Sequence, residues 1–227
     1  MRKSIDFYFD FISHNAYLMW HELPSIADKY GYELRPIPAL FAGFLKTYGQ
    51  LGPAEVAPKL AWMNRNVLRK AIDLNIPFAA PVQHPFHPLF LLRLVAQDMT
   101  LAERCALTGL LFRGVWADKL DPNQPQAVCR YLEQAGFAVG ERIDRTADAS
   151  VKEKLKLNTD KCIARGGFGV PTVLVGDELF WGFDDLPYLE RHLAGDDPLK
   201  RVDLDTYLSE WKTGRAHGAH RPQPAHV

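Results

Sequence analysis

The sequence predicts an α/β fold interrupted by a large all-helical insertion, on three observations. An aromatic-rich strand opens the chain, Ile5-Asp6-Phe7-Tyr8-Phe9-Asp10-Phe11, and runs through Ser13-His14-Asn15 into an amphipathic helix. A second apolar strand, Val173-Leu174-Val175, lies near the far end and is introduced by Gly169-Val170-Pro171-Thr172. The stretch between them has helical periodicity and little strand character. Residues 1–40 and 165–195 are therefore assigned to the α/β domain and residues 41–164 to the insertion. Residues 196–227 form a polar C-terminal extension expected to be mobile at its end.

Each element has its own reason. The first strand, Lys3 to Phe9, carries bulky residues on both faces, as a buried strand does. From Ala16 to Tyr30, the residues Tyr17, Trp20, Leu23, Ala27 and Tyr30 recur at helical spacing, and Gly31 follows as a C-terminal stop. Pro24 inside that pattern predicts a kink or a helix in two pieces. A second strand over Glu33 to Pro38 completes a βαβ unit. In the insertion, Leu60, Met63, Val67, Leu68, Ala71 and Leu74 suit a helix ended by Asn75-Ile76-Pro77. Further helices are predicted over Pro88 to Gln97, Leu101 to Trp116, Pro125 to Gln134 and Ala147 to Ala164. The α/β pattern returns with a strand over Val170 to Val175, a Gly176-Asp177 hairpin turn and a strand over Glu178 to Trp181. Helices over Asp185 to Leu193 and Leu204 to Lys212 close the pattern.

Composition narrows the function classes. Lys plus Arg and Asp plus Glu are 27 each, so no basic excess argues for nucleic acid or an anionic membrane surface. No segment approaches the roughly 18 to 20 apolar residues of a membrane span. The N-terminus enters an aspartate-containing strand, which does not read as a signal peptide. Cys105, Cys129 and Cys162 are odd in number and widely spaced, without a C-x-x-C pair. They read as reduced, packed thiols of a cytoplasmic protein and not as a disulfide framework or zinc site.

The chemistry centres on Ser13. A strand feeding such a helix start, with Val-Pro-Thr ahead of a late strand, is a thioredoxin-like layout, and serine stands where its reactive cysteine would be. Ser13 suits the helix N-cap. The same helix end offers unpaired amide donors and the positive end of a dipole, so a bound thiolate there is stabilised over its thiol. A free thiol, with a pKa of about 8.5, is only a few per cent ionised at neutral pH. Lowering it by roughly two units, worth about 2.7 kcal/mol, makes the thiolate the majority form. No G-x-S-x-G elbow surrounds Ser13, so it is not read as a hydrolase nucleophile. Val170-Pro171 is read either as a strand start or as a cis peptide facing the helix start, with the Val170 backbone free to pair with an extended peptide. Asp184 is by default the N-cap of the last helix, or else a partner for the amino group of a small peptide. Lys59, Gln50, Asn64 and Asn66 read as surface polar residues unless a cleft claims them. His84-Pro85-Phe86-His87 lacks the helix and carboxylate that a metal site needs, so no metal is expected.

Together these residues resemble the 2-hydroxychromene-2-carboxylate isomerases and the related kappa-class glutathione transferases. The strongest parts are D-F-Y-F-D-F-I-S-x-N-A-Y at the start and F-G-V-P-T-V-L-V-G-D-E-L-F-W-G-x-D near the end. The resemblance implies a thioredoxin-like domain with a helical insertion, glutathione as cofactor, a small aromatic substrate and a homodimer. It implies that Ser13 contacts the glutathione sulfur, that Val170 and Pro171 hold its cysteinyl unit, and that Asp184 meets its γ-glutamyl unit. It places Lys59 near the glutathione and substrate site, and Gln50 where several relatives carry asparagine. The chain departs from that pattern in places. His14 replaces a proline, Phe183 an asparagine or serine, and Asp185 an arginine, while Trp62 and Asn66 stand for tyrosine and aspartate.

Three readings follow. The first is a glutathione-dependent isomerase that converts 2-hydroxychromene-2-carboxylate to trans-o-hydroxybenzylidenepyruvate by thiolate addition, bond rotation and elimination. The second is a kappa-like transferase conjugating hydrophobic electrophiles. The third is a binding module without turnover. Disulfide exchange is excluded at this helix start because neither dithiol position is cysteine.

Overall fold

In a computed structural model of the chain, residues 3–211 are described. Strand β1, Ser4–Phe9, runs into helix α1, His14–Tyr30, and then into strand β2, Glu33–Pro38. Six helices follow: α2 Phe41–Tyr48, α3 Ala57–Asp73, α4 Leu89–Ala96, α5 Leu101–Trp116, α6 Pro125–Gln134 and α7 Ala149–Ala164. The chain then returns to the sheet with β3, Thr172–Val175, and β4, Glu178–Trp181, and ends in α8, Leu186–Leu193, and α9, Leu204–Glu210. The sheet order is β2-β1-β3-β4. β1 and β2 are parallel, with Tyr8 opposite Ile37, whereas β1 with β3 and β3 with β4 are antiparallel, with Tyr8 opposite Thr172. Among the described residues the span between β2 and β3 holds helices and loops and no strand, which gives the predicted thioredoxin-like α/β fold with its helical insertion.

Both faces of β1 are covered, which explains its unbroken aromatic run. Phe7 and Phe9 point to the larger core, where Phe7 stacks on Trp20 of α1 at 5.9 Å and Phe9 meets Phe112 of α5 at 5.2 Å. Tyr8 faces the other way, into a smaller cluster with Phe44 of α2, Cys162 of α7, Val170 and Leu174. This alternation is the period-two geometry of a strand. Fully burying such a side chain contributes on the order of 1.5–3 kcal/mol, so β1 is firmly held beside the site.

Several boundaries differ from the sequence reading. The first helix is one continuous 17-residue element through Pro24 and is not in two pieces. Its buried stripe, Tyr17, Trp20, Leu23 and Ala27, continues past the proline and anchors both halves to one core. Gly31 ends it in the left-handed region at φ 72°, as the stop signal predicts. Helix α2 was not anticipated: eight residues with a single fully buried side chain, Phe44, give too short a periodic pattern. β3 begins at Thr172, not at Val170, because Val170 and Pro171 stay in the approach loop. A short 3₁₀ turn, Phe183–Asp185, takes the start of the predicted last helix. Position 212 of the predicted terminal helix and the tail from Thr213 lie outside the described residues. No described helix is long and apolar enough to cross a membrane.

Candidate active site

The turn between β1 and α1 is held from every side. The Ser13 N–H donates to the Asp10 carbonyl at 3.0 Å, and the Asp10 side chain accepts the Ile12 N–H at 3.1 Å. The other carboxyl oxygen of Asp10 accepts the Phe41 N–H at 2.9 Å, which ties the start of α2 to the same turn. Trp116 Nε1 donates to the Phe11 carbonyl at 2.8 Å, and His84 Nε2 lies 3.0 Å from the Ile12 carbonyl. A turn with this many fixed groups presents its next side chain in one place. That side chain is Ser13.

Ser13 is the N-cap of α1, and its Oγ accepts the Ala16 N–H at 3.2 Å. The oxygen's lone pair serves the helix, which leaves the hydroxyl proton to donate elsewhere. Ser13 opens onto a cleft of about 820 Å³. Val170 and Pro171 face into the same cleft, and the peptide bond between them is cis, as one of the two sequence readings had it. Val170 takes part in no loop or cap backbone hydrogen bond among the described residues.

Asp184 and Lys59 also line the cleft, so it gathers five of the six residues singled out from the sequence. Gln50 is not among them. It lies exposed just after α2, where Gly49 at φ 63° ends the helix, and Glu55 and Pro53 border the cleft instead. Asn66 and Trp62 line the cleft, whereas Asn64 points away from it. Asp184 is not a helix cap. Its carboxylate pairs with Lys70 Nζ at 2.7 Å, and that ammonium sits over the Phe183 ring at 5.2 Å. Phe183 thus supports the lysine that holds Asp184. Asp185 instead accepts the Trp181 N–H at 2.8 Å.

Two groups in the cleft have displaced titrations. Burial pushes the Asp10 carboxyl up to about 7, against the opposing effect of the two backbone donors it accepts. Burial pushes the His14 imidazole down to about 4, with His84 and Lys70 adding to the shift. Asp10 and Lys70 were missed from sequence, though signals existed. Asp10 is an acid inside an aromatic run. Lys59, Met63, Asn66 and Lys70 are spaced four, three and four apart, one face of α3.

The three cysteines stand apart from this chemistry. Cys105 and Cys129 are half-buried and Cys162 is fully buried, and burial raises all three thiols above their ordinary range.

Residues 4–194 match the family of the DSBA-like thioredoxin domain. The chain is similar to the 2-hydroxychromene-2-carboxylate isomerase of Sphingobium xenophagum, at 30% identity over 85% of this chain and 99% of that one. It is also similar to a glutathione S-transferase kappa 2 of Caenorhabditis elegans, at 26% identity over 85% of this chain and 92% of that one. A solved structure of a 2-hydroxychromene-2-carboxylate isomerase superposes with a TM-score of 0.75 at 27% identity, covering 88% of this chain and 98% of that one.

Proposed function

From a chain that belongs to the DSBA-like thioredoxin domain family and, within it, to the 2-hydroxychromene-2-carboxylate isomerase family, we propose a glutathione-dependent isomerase of a small aromatic, conjugated substrate. One observation carries the reading: Ser13, and no cysteine, caps the helix at the floor of a cleft it shares with Val170, Pro171, Lys59, Lys70 and Asp184.

The donor set fits a thiol tripeptide. The Ser13 hydroxyl and the unpaired amides of the first turn of α1 suit a sulfur anion. The Val170 backbone suits the central peptide unit of an extended ligand, as in strand addition. The Lys70–Asp184 pair offers one cation and one anion side by side, which matches the carboxylate and ammonium of a γ-glutamyl group. Lys59, about three turns before Lys70 on α3, places a further cation on the cleft.

Bound there, glutathione would supply a thiolate nucleophile whose reversible addition to a conjugated double bond permits rotation about it. The chain's contribution is to hold that sulfur ionised at Ser13, to clamp the turn so that the hydroxyl does not reorient, and to pack the electrophile against apolar walls. Trp62, Met63, Phe86 and Trp181 supply those walls. They suit a hydrophobic electrophile as well, so a kappa-like transferase is the competing reading.

Assaying the purified protein with 2-hydroxychromene-2-carboxylate and with chloronitrobenzene separates the two. The expected result is isomerisation of the chromene that requires glutathione, with little conjugation of chloronitrobenzene. Isomerisation at full rate without glutathione, or conjugation alone, overturns the proposal. Lys70→Met is expected to raise KM for glutathione about fivefold and leave kcat unchanged. It removes a partly exposed charge contact, worth about 1 kcal/mol, from ground and transition state alike. A change confined to kcat would place Lys70 in the chemistry and out of glutathione recognition.

A further inference from the structure

His14 carries chemistry that the reading above leaves unused. It is the first residue of α1, directly after Ser13, and it lines the same cleft at only 7% exposure. Its Nδ1 is sealed from solvent and meets no hydrogen-bond partner among the described residues. The ring stands edge-on to Trp116 with centroids 5.8 Å apart, and His84 packs on the same indole at 5.6 Å. The indole is itself fixed by its bond to the Phe11 carbonyl, so the wall is rigid.

A neutral imidazole has one N–H and one lone pair. A buried N–H without an acceptor is the rarer and costlier orphan, so the sealed Nδ1 is the lone pair and the proton sits on Nε2. With Nδ1 sealed, the edge of the ring that lines the cleft is the Nε2 edge. The low titration of this ring keeps it neutral throughout the neutral pH range. The result is a fixed, uncharged donor one residue away from the Ser13 hydroxyl, and no acceptor among the described residues completes it.

The surroundings say what would. The start of α1 favours negative charge. Lys70, its side chain 15% exposed, contributes positive potential at His14. The carboxylates of the cleft are engaged: Asp10 accepts two backbone N–H groups, Asp184 is paired with Lys70, Asp185 accepts from Trp181, and Glu55 accepts the Gly52 N–H. Phe86, packed at a tilt on Trp116, lines the same cleft and suits a flat ring. We propose that His14 is a specificity-determining residue whose Nε2–H donates to the carboxylate of the second substrate and orients its ring for the sulfur at Ser13. The inference rests on the proposed function only for the direction from which that substrate is attacked. The donor itself belongs to the chain.

Calorimetric titration of the full chain at pH 7 with trans-cinnamate and with its neutral amide, each with and without glutathione, tests it. Wild type is expected to bind the carboxylate at least tenfold tighter than the amide, the lower end for a hydrogen bond to a charged group. His14→Leu, which removes the ring donor and keeps the backbone N–H of the first helical turn, is expected to bind the two equally while binding glutathione as wild type does. His14→Gln, which keeps a neutral N–H donor, is expected to retain part of the preference. No preference in wild type, or a preference that survives in His14→Leu, overturns the assignment. Failure of wild type to bind glutathione while the carboxylate preference holds would instead sink the thiol-site reading and leave His14 in place.

Discussion

Ser13→Ala is expected to lower kcat/KM of the glutathione-dependent reaction by roughly ten- to hundredfold and to raise the pKa of bound glutathione by about one to two units. Both follow from losing one hydrogen bond to a charged acceptor, worth about 1.5–3 kcal/mol. The same oxygen also caps α1 by accepting the Ala16 N–H, and losing a cap costs about 0.5–2 kcal/mol of stability. The two losses come apart with a second variant. Ser13→Gly removes the hydroxyl equally but costs only a few tenths of a kcal/mol as a cap. Ser13→Gly and Ser13→Ala are therefore expected to match in catalysis and in thiolate titration, followed by ultraviolet absorbance, and to differ in urea midpoint. Ser13→Thr, which keeps donor and cap, is expected to stay near wild type. An unchanged thiolate titration in both the alanine and glycine variants would remove the hydroxyl from the mechanism.

That the serine was legible at all reflects how much of this site is written locally. A helix start, its cap and the strand before it are short-range features, and Phe7-Tyr8-Phe9 announces a strand buried on both faces. The late Val170-Pro171 pair was legible for the same reason. What escaped was assembled by long-range packing. Asp184 lies 114 residues from Lys70 in sequence, and nothing at position 184 says whether it will cap a helix or meet a lysine of α3. Asp10 reads as a strand-end acid until Phe41, 31 residues later, is seen donating to it. Gln50 went the other way: the resemblance placed it at the site, and in the fold it lies exposed after α2 and does not line the cleft. The donor role of His14 depends on a wall built by Trp116 and His84, from an α-helix and a loop that the sequence could list and could not place.

Two buried groups a few residues apart should give the protein opposing responses to acid. Asp10 has a folded pKa of about 7, raised above its unfolded value of about 3.9. The native state therefore binds the extra proton between those limits. This contribution to stability is complete below about pH 3.9 and is lost as pH rises through 7, by about 4 kcal/mol over three units. His14 has a folded value of about 4, below an unfolded value of about 6.5. Here the unfolded state takes the proton, so the contribution is present above pH 6.5 and is lost as pH falls through 4, by about 3 kcal/mol. In wild type the two slopes oppose each other between about pH 4 and 6.5 and largely cancel. Substitution exposes them one at a time, and the difference from wild type removes every other carboxylate from the comparison. Relative to wild type, His14→Pro is expected to gain about 3 kcal/mol as the pH falls from 7 to 4. Asp10→Asn is expected to lose about 4 kcal/mol relative to wild type as the pH falls from 8 to 4. The asparagine carbonyl keeps one of the two backbone donors and leaves the other facing an amide N–H, so that variant also starts lower at every pH. Urea unfolding at four pH values between 4.5 and 7.5 reads the slopes directly, and the double variant should restore a profile parallel to wild type. Curves for both single variants that run parallel to wild type would mean that neither group is buried as the fold places it.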